Sequence, residues 1–382
     1  MSGRLETQCI HGNLDFSYQE ATRAVSFPIY QTATFGHIGL GQSSGYDYTR
    51  EKNPTRQRLE ETVSALEGAV DTVAFSSGMA AVSACFELFR PGDHILCSED
   101  LYGGVIRLFR TVSQKNGLSV DYVDTTDLKK VEARLRPDTK ALYIETPSNP
   151  MMNITDLRTC AQLAKEHGLL LIVDNTFLSP VLQNPIELGA DLVLHSGSKF
   201  LSGHNDTIAG FLSSATQELA DRVRLIAKTT GGTLAPFDCW LVLRGLKTLP
   251  VRIERQQENA RKVAEWLIRQ PHVSHVFYAG LPGHPGYQVN QGQARGAGSM
   301  ISFRTDSVET AHRVLEKVRL ITFAESLGGT ESLITYPMMQ THPDVPQAMR
   351  EYLGITETLL RLSVGLEHVD DIIADLAQAL EE

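Results

Sequence analysis

No stretch of this sequence approaches the roughly 18 consecutive apolar residues that a membrane helix needs, so a spanning helix is excluded. The first residues, Met1 to His11, lack the basic patch and apolar run of a secretory signal, and the expected location is the cytoplasm. Positive charge is in deficit: 35 Lys and Arg face 45 Asp and Glu, a net charge of −10. That balance argues against nucleic acid or an anionic membrane as partner. Cysteines are few and scattered (Cys9, Cys85, Cys97, Cys160, Cys239), odd in number and without a C-x-x-C pair. They fit reduced thiols rather than a disulfide frame, and no metal centre is expected. Cys85 and Cys160 lie in apolar helical patterns and read as packing residues. No G-x-G-x-x-G follows the first strand, which counts against a nicotinamide dehydrogenase. Internal repeats, low-complexity tracts and charge blocks are also missing.

What is present suits a globular protein: 382 residues, 42% hydrophobic and 21% charged, enough for two domains with a large core. Residues 1–52 read as an irregular arm, with a glycine-rich loop at 36–45 (GHIGLGQSSG). A helix then starts at Asn53-Pro54, an N-cap followed by proline at the first helical position; Leu59, Val63 and Leu66 share one face and Gly68 ends it. From residue 53 to 245 short apolar runs alternate with helical patterns. Strands are expected over 72–76, 94–97, 141–145, 169–174 and 191–195, and helices over 79–89 and 157–166. Runs such as LLLIVD are apolar on both faces, the mark of a buried, mostly parallel sheet with helices on both sides. Residues 246–382 read as a smaller α+β domain, with a helix over 255–268, strands over 299–303 and 359–364, and a last helix over 370–380. The glycines between Gly280 and Gly298 fit no strand-to-helix frame and are expected to form an exposed loop.

Four positions carry chemical promise. Lys199, in HSGSK, follows the apolar strand ADLVLH, where open α/β sheets place their ligands. Ser196 and Ser198 flank it at a spacing suited to a phosphate, although a surface lysine would look the same. Asp174 ends LLLIVD, and a carboxylate there needs a cation or several donors unless it merely caps a turn. The protonated ring nitrogen of pyridoxal phosphate (PLP) is one such cation. Ser76-Ser77-Gly78-Met79 links a strand to a helix start whose backbone N–H groups could receive a phosphate. Arg361 sits inside an apolar strand, with Leu360, Leu362 and Val364 on the opposite face. It could clamp a substrate carboxylate in bidentate fashion, or form a structural salt bridge to Glu325, Glu331 or Glu367.

Taken together the chain resembles the Cys/Met-metabolism branch of fold-type I PLP enzymes, which includes cystathionine γ-synthases, cystathionine γ- and β-lyases and methionine γ-lyase. The matching segments are YTREKNPT (48–55), SSGMAA (76–81), LYGG (101–104), ETPSNP (145–150), VDNTFLSPVLQNP (173–185), HSGSKFLSGHND (195–206), AESLGGTESLITYP (324–337) and LLRLSVGLEH (359–368). They span nearly the whole chain in order. The resemblance implies that Lys199 carries PLP as a Schiff base and then moves protons, that Asp174 holds the ring nitrogen, and that Tyr102 stacks on the ring and deprotonates the incoming amine, these three being the catalytic residues. It implies that Gly78, Met79, Ser196 and Ser198 bind the phosphate, with Tyr48 and Arg50 reaching the phosphate of a neighbouring subunit. Arg361, Asn149 and Ser326 would hold the substrate carboxylate, and Tyr46 is a further candidate substrate contact. The assembly implied is a homotetramer, a dimer of dimers with shared active sites.

Three positions bear on the reaction. Gly104 stands where methionine γ-lyases carry a reactive cysteine. Glu325 and Arg107 resemble γ-synthases and γ-lyases of cystathionine and could grip the distal charges of cystathionine or cysteine, though both also suit surface salt bridges. SLITYPMMQTHPDVP is similar to bacterial γ-synthases acting on O-acylhomoserine. The expected reaction is therefore γ-replacement: O-acyl-L-homoserine plus cysteine gives cystathionine. A cystathionine γ- or β-lyase, or a methionine γ-lyase, eliminating to a 2-oxo acid, ammonia and a thiol, is the alternative, and a PLP-binding protein without turnover is a remote third.

Overall fold

In the computed structural model, which describes residues 3–12, 23–343 and 345–381, two sheets organise the chain. The first contains β1 (Asp71–Phe75), β2 (His94–Ser98), β3 (Ser119–Val123), β4 (Thr139–Glu145), β5 (Leu170–Asp174), β6 (Leu192–Ser196) and β7 (Gly210–Ser214), in the order β1-β7-β6-β5-β4-β2-β3. From β3 to β6 every pairing is parallel, and β7 runs antiparallel to both of its neighbours. The second sheet contains β8 (Val273–Phe277), β9 (Met300–Thr305), β10 (Thr322–Phe323), β11 (Leu333–Thr335) and β12 (Leu359–Ser363), ordered β10-β11-β12-β9-β8 and antiparallel except for β10 with β11.

The two-faced burial expected of LLLIVD is realised. Ile172 joins Tyr143, Leu192, Leu194 and Leu212 on one face, packed by α3 (Gly78–Phe86). Leu171 and Val173 join Leu142, Ile144 and Val193 on the other, packed by the helix Leu157–Glu166. Each such side chain contributes on the order of 1.5–3 kcal/mol when withdrawn from water. Among the preceding elements, α1 (Leu5–His11) lies against α2 (Pro54–Glu67), which starts as expected: Asn53 Oδ1 accepts from the Thr55 and Arg56 amides, and Gly68 closes the helix at φ +69°. The cysteines in the described structure are all free and buried.

Several expectations need correction. The helix placed at 79–89 stops at Phe86, and the one placed at 255–268 begins at Leu249, behind Thr248 and with Pro250 in its first turn. The glycine-rich stretch after Gly280 is not simply an exposed loop: it includes the helix Tyr287–Gln293, whose Asn290 is buried and donates to the Gly296 carbonyl. Strands β3 (SVDYV), β7 (GFLSS) and β8 (VSHVF) were not anticipated, because polar and small residues break their apolar runs. Strand β7 matters most, since its pairing with β1 on one side and β6 on the other brings the turn after β1 to the end of β6.

That adjacency is tight. A Cβ at Gly210 would collide with the Ser77 carbonyl, and one at Gly78 would lie 3.1 Å from Ser196 Cβ. Gly210→Ala is expected to cost about 2 kcal/mol or more in denaturant unfolding. Gly283→Ala, with open space around it, should change stability by less than about 0.5 kcal/mol.

Candidate active site

The carboxyl ends of β4, β5 and β6 open into a cavity of about 570 Å³, within the usual range for small-ligand sites. Its lining includes Gly78, Met79, Tyr102, Asn149, Asp174, Ser196, Ser198, Lys199, Glu325, Ser326 and Arg361. Four expected site residues lie outside the lining. Arg107 is exposed on α4 (Gly103–Leu108). Tyr46 donates to Gln57 Oε1 at 2.8 Å, and Arg50 stacks on Tyr48 and donates to the Lys228 carbonyl. Residues 13–22 of the arm fall outside the described residues.

Lys199 occupies a turn just past β6, in which the Lys199 amide donates to Ser196 O and the Gly203 amide to Lys199 O. Arg252, itself buried, locks that turn by donating to the carbonyls of Phe200 and Gly245, both at 2.9 Å. The Lys199 ammonium donates to Ser326 Oγ at 2.7 Å. Burial and the Arg361 charge push its pKa down to about 8, against an upward pull from Glu325. Ser326 holds a left-handed backbone (φ +91°), sparsely populated for a residue with a side chain. The neighbouring Gly328 explains the need for a sharp turn, since a Cβ there would sit 2.7 Å from the Phe200 nitrogen.

Arg361 projects from β12 and is almost wholly buried. It donates to Asn149 Oδ1 at 2.7 Å, Ser326 O at 3.2 Å and Thr335 Oγ1 at 3.3 Å, while its Nε has no partner. The alternative of a structural salt bridge fails: Glu367 accepts from Ser332, Glu331 from Asn205, and Arg361 pairs with no carboxylate among the described residues. Burial lowers its pKa to about 10, with Glu145 opposing.

Asp174 lies on the opposite wall. Its Oδ1 accepts from the Thr176 amide at 3.0 Å and hydroxyl at 2.6 Å, yet burial raises its pKa. Beside it in register, Glu145 accepts from the Tyr102 amide at 3.0 Å; burial first and Asp174 second raise its pKa well above the carboxylate range. Neither carboxylate has an ion-pair partner among the described residues. On the third side, Ser77 caps α3 by accepting from the Ala80 amide, Ser198 exchanges hydrogen bonds with the Ala209 backbone, and Ser196 Oγ bonds to none of the described residues.

Sequence reasoning missed Glu145, Thr176 and His195. Glu145 ends its strand just as Asp174 does, so the same argument applied to ALYIE would have found it. Thr176 lay within the quoted VDNT. His195 gave no signal: its Nε2 donates to Glu67 Oε1 at 2.5 Å, and that buried partner lies 128 residues away.

Residues 6–381 match the family of Cys/Met metabolism PLP-dependent enzymes. The chain belongs to that family. This Cys/Met-metabolism enzyme is 50% identical over 362 residues to the cystathionine γ-synthase of Haemophilus influenzae, covering 94% of each chain. It is 46% identical to the cystathionine β-lyase of Bacillus subtilis, over 99% of this chain and 96% of that one. Among solved structures, cystathionine γ-synthase of Xanthomonas oryzae pv. oryzae in complex with aminoacrylate and cysteine superposes with a TM-score of 0.97 at 39% identity, covering 100% of this chain and 98% of that one. Cystathionine γ-lyase of Lactobacillus plantarum complexed with L-serine gives 0.96 at 42%, covering 99% and 98%. The fold-type I architecture follows, and with it the PLP cofactor.

The donor set fits that cofactor. Unpaired carboxylates meet a cationic ring nitrogen, the start of α3 and Ser196 meet an anionic phosphate, and Lys199 supplies the amine. In protein freed of cofactor, labelling of Lys199 by an amine-reactive probe should rise with pH through about 8, because only the neutral amine reacts. An ordinary lysine would follow its usual pKa of about 10.4. Arg361→Ala should move the midpoint up and Glu325→Gln should move it down, as read by peptide mass spectrometry.

Proposed function

We propose that this enzyme catalyses γ-replacement, joining O-acyl-L-homoserine and cysteine to give cystathionine. The observation that carries the reading is the charge layout around Lys199. Arg361 and Asn149 offer an α-carboxylate clamp, while Glu325 stands exposed at the mouth with no ion pair among the described residues. A carboxylate there suits the amino group of an incoming cysteine. The relatives named above include synthases and lyases, and a γ-lyase shares Glu325, so the choice of synthase rests on the O-acylhomoserine-like segment after Glu325.

PLP, when bound, supplies the electron sink that makes the Cα proton of an amino acid acidic. Arg361 and Asn149 orient the substrate by its carboxylate, which directs the Cα–H bond toward the Lys199 amine. Lys199 Nζ takes that proton and returns it; a pKa near 8 leaves it a competent base near neutrality. Loss of a Cβ proton then lets the acyl group depart from Cγ with its bonding electron pair. The cysteine sulfur bonds to Cγ, its proton balancing the departed carboxylate, and the protons are returned first to Cβ and then to Cα. Tyr102, half-exposed over the cavity, shields the reacting face from solvent. Tyr48 and Arg50, exposed and outside the lining of their own cavity, complete the phosphate site of a neighbouring copy.

A product assay tests the reaction. Cystathionine should accumulate from O-acetyl- or O-succinyl-homoserine with cysteine, with little 2-oxo acid formed from cystathionine alone. Rapid 2-oxobutyrate or pyruvate from cystathionine would instead make the enzyme a lyase. Lys199→Ala should abolish turnover with the fold intact by circular dichroism. Glu325→Gln should lower kcat/KM for cysteine on the order of 10–100-fold, the worth of a charged hydrogen bond, yet spare sulfide, which has no amino group. An equal loss with sulfide would remove Glu325 from acceptor binding.

The shared site has its own test. Mixing inactive Lys199→Ala with weakly cofactor-binding Arg50→Ala should restore activity, because one site of the mixed assembly regains both residues. Activity no greater than the sum of the separate variants would show that each chain builds its site alone.

A further inference from the structure

We propose that His342 is a positioning residue for the carboxylate clamp: by donating from Nε2 to the Asn149 carbonyl it fixes the side chain that holds Arg361. The inference rests on the reading of Arg361 as the substrate-carboxylate ligand.

His342 is fully buried in the segment that follows β11. Its Nε2 lies 3.0 Å from Asn149 O and its Nδ1 2.7 Å from Thr341 Oγ1. A carbonyl only accepts, so Nε2 carries the proton and Nδ1 accepts from the Thr341 hydroxyl. The ring also makes a hydrogen bond to the Leu101 backbone, and the tautomer protonated at Nε2 is the one that serves the Asn149 carbonyl. Burial, followed by the Arg361 charge, pushes its pKa down to about 4, so it stays neutral and keeps that tautomer through the physiological range.

The stretch on which it acts is pinned on either side of Asn149 by a different group. Asp100 accepts from the Ser148 hydroxyl and from the Met151 amide at 3.2 Å. The Asn149 carbonyl is held by His342 instead. From the same residue, Oδ1 accepts the shortest of Arg361's hydrogen bonds, 2.7 Å against 3.2 and 3.3 Å. That leaves the Asn149 Nδ2 group, which donates to none of the described residues, beside the guanidinium. The pair presents a combined donor face to a carboxylate. The Thr341-His342 backbone is also seated directly on the start of α4, where a Cβ at Gly103 would strike the Thr341 carbonyl. One buried imidazole thus ties the segment after β11 to Asn149 beside Tyr102.

Without the donor, the buried Asn149 carbonyl would be left unpaired, which a shift of that backbone relieves by moving the side chain off Arg361. The test compares steady-state kinetics of PLP-loaded His342→Leu, His342→Gln and Arg361→Ala on the amino-acid substrate, with the cofactor absorbance recorded for each. His342→Leu should raise KM on the order of tenfold with kcat within about threefold and the absorbance unchanged. His342→Gln, whose amide can still donate to Asn149 O, should recover most of that loss. If His342→Leu does not fold, Thr341→Val, which frees the tautomer but keeps the imidazole, should raise KM in the same direction. An unchanged KM in the foldable variant, beside a raised KM in Arg361→Ala, overturns the role of His342 alone. A glutamine variant as impaired as the leucine variant also overturns it, since filling of space would then be the whole effect. If Arg361→Ala itself leaves KM unchanged, the clamp reading falls, and this proposal with it.

Discussion

A buried arginine and a part-buried lysine facing one cavity, with no carboxylate among the described residues bonded to either, are the constraint around which the rest of the site is arranged. Lys199 and Arg361 come from different sheets and meet through Ser326, whose hydroxyl accepts from one and whose carbonyl accepts from the other. An uncompensated buried charge is costly, and proteins ordinarily neutralise it with a partner. Here the compensation is partial and consists of neutral oxygens. The lysine responds by a depressed pKa and the arginine by an unpartnered Nε. Both responses leave the cavity attractive to anions, which a carboxylate partner would have cancelled.

The opposite wall inverts the logic. Asp174 and Glu145 end adjacent parallel strands; burial raises the proton affinity of both and Asp174 raises that of Glu145 further, so this side attracts positive charge. An α/β sheet makes such a site readily, because its strands deliver side chains in register to one edge. The separation of sign across the cavity follows from chain topology: carboxylates come from β4 and β5, and cations from the turn past β6 and from β12.

Much of this was legible in the sequence where local pattern and chemistry coincided. LLLIVD announced both a buried strand and a carboxylate that had to be explained, and HSGSK announced a lysine at a strand end. Arg361 was flagged because its neighbours were apolar. What escaped notice depended on distant partners. His195 needs Glu67, His342 needs Asn149, and Arg252 needs the carbonyl of Phe200; these partners lie 128, 193 and 52 residues away. Strand β7 was missed for another reason: GFLSS lacks β-branched residues and owes its place to being enclosed on both sides.

The insertion of β7 between β1 and β6 also sets an order of events during synthesis. The turn at Ser77-Gly78 cannot meet Ser196 until residue 210 has emerged and paired, so the phosphate end of the site is closed late by a non-local contact. Arg361 emerges later still. At about 5–20 residues per second the interval between the two is on the order of ten seconds. The nascent chain therefore passes through a period in which the residues assigned to the cofactor are assembled and those assigned to the substrate carboxylate are not yet made.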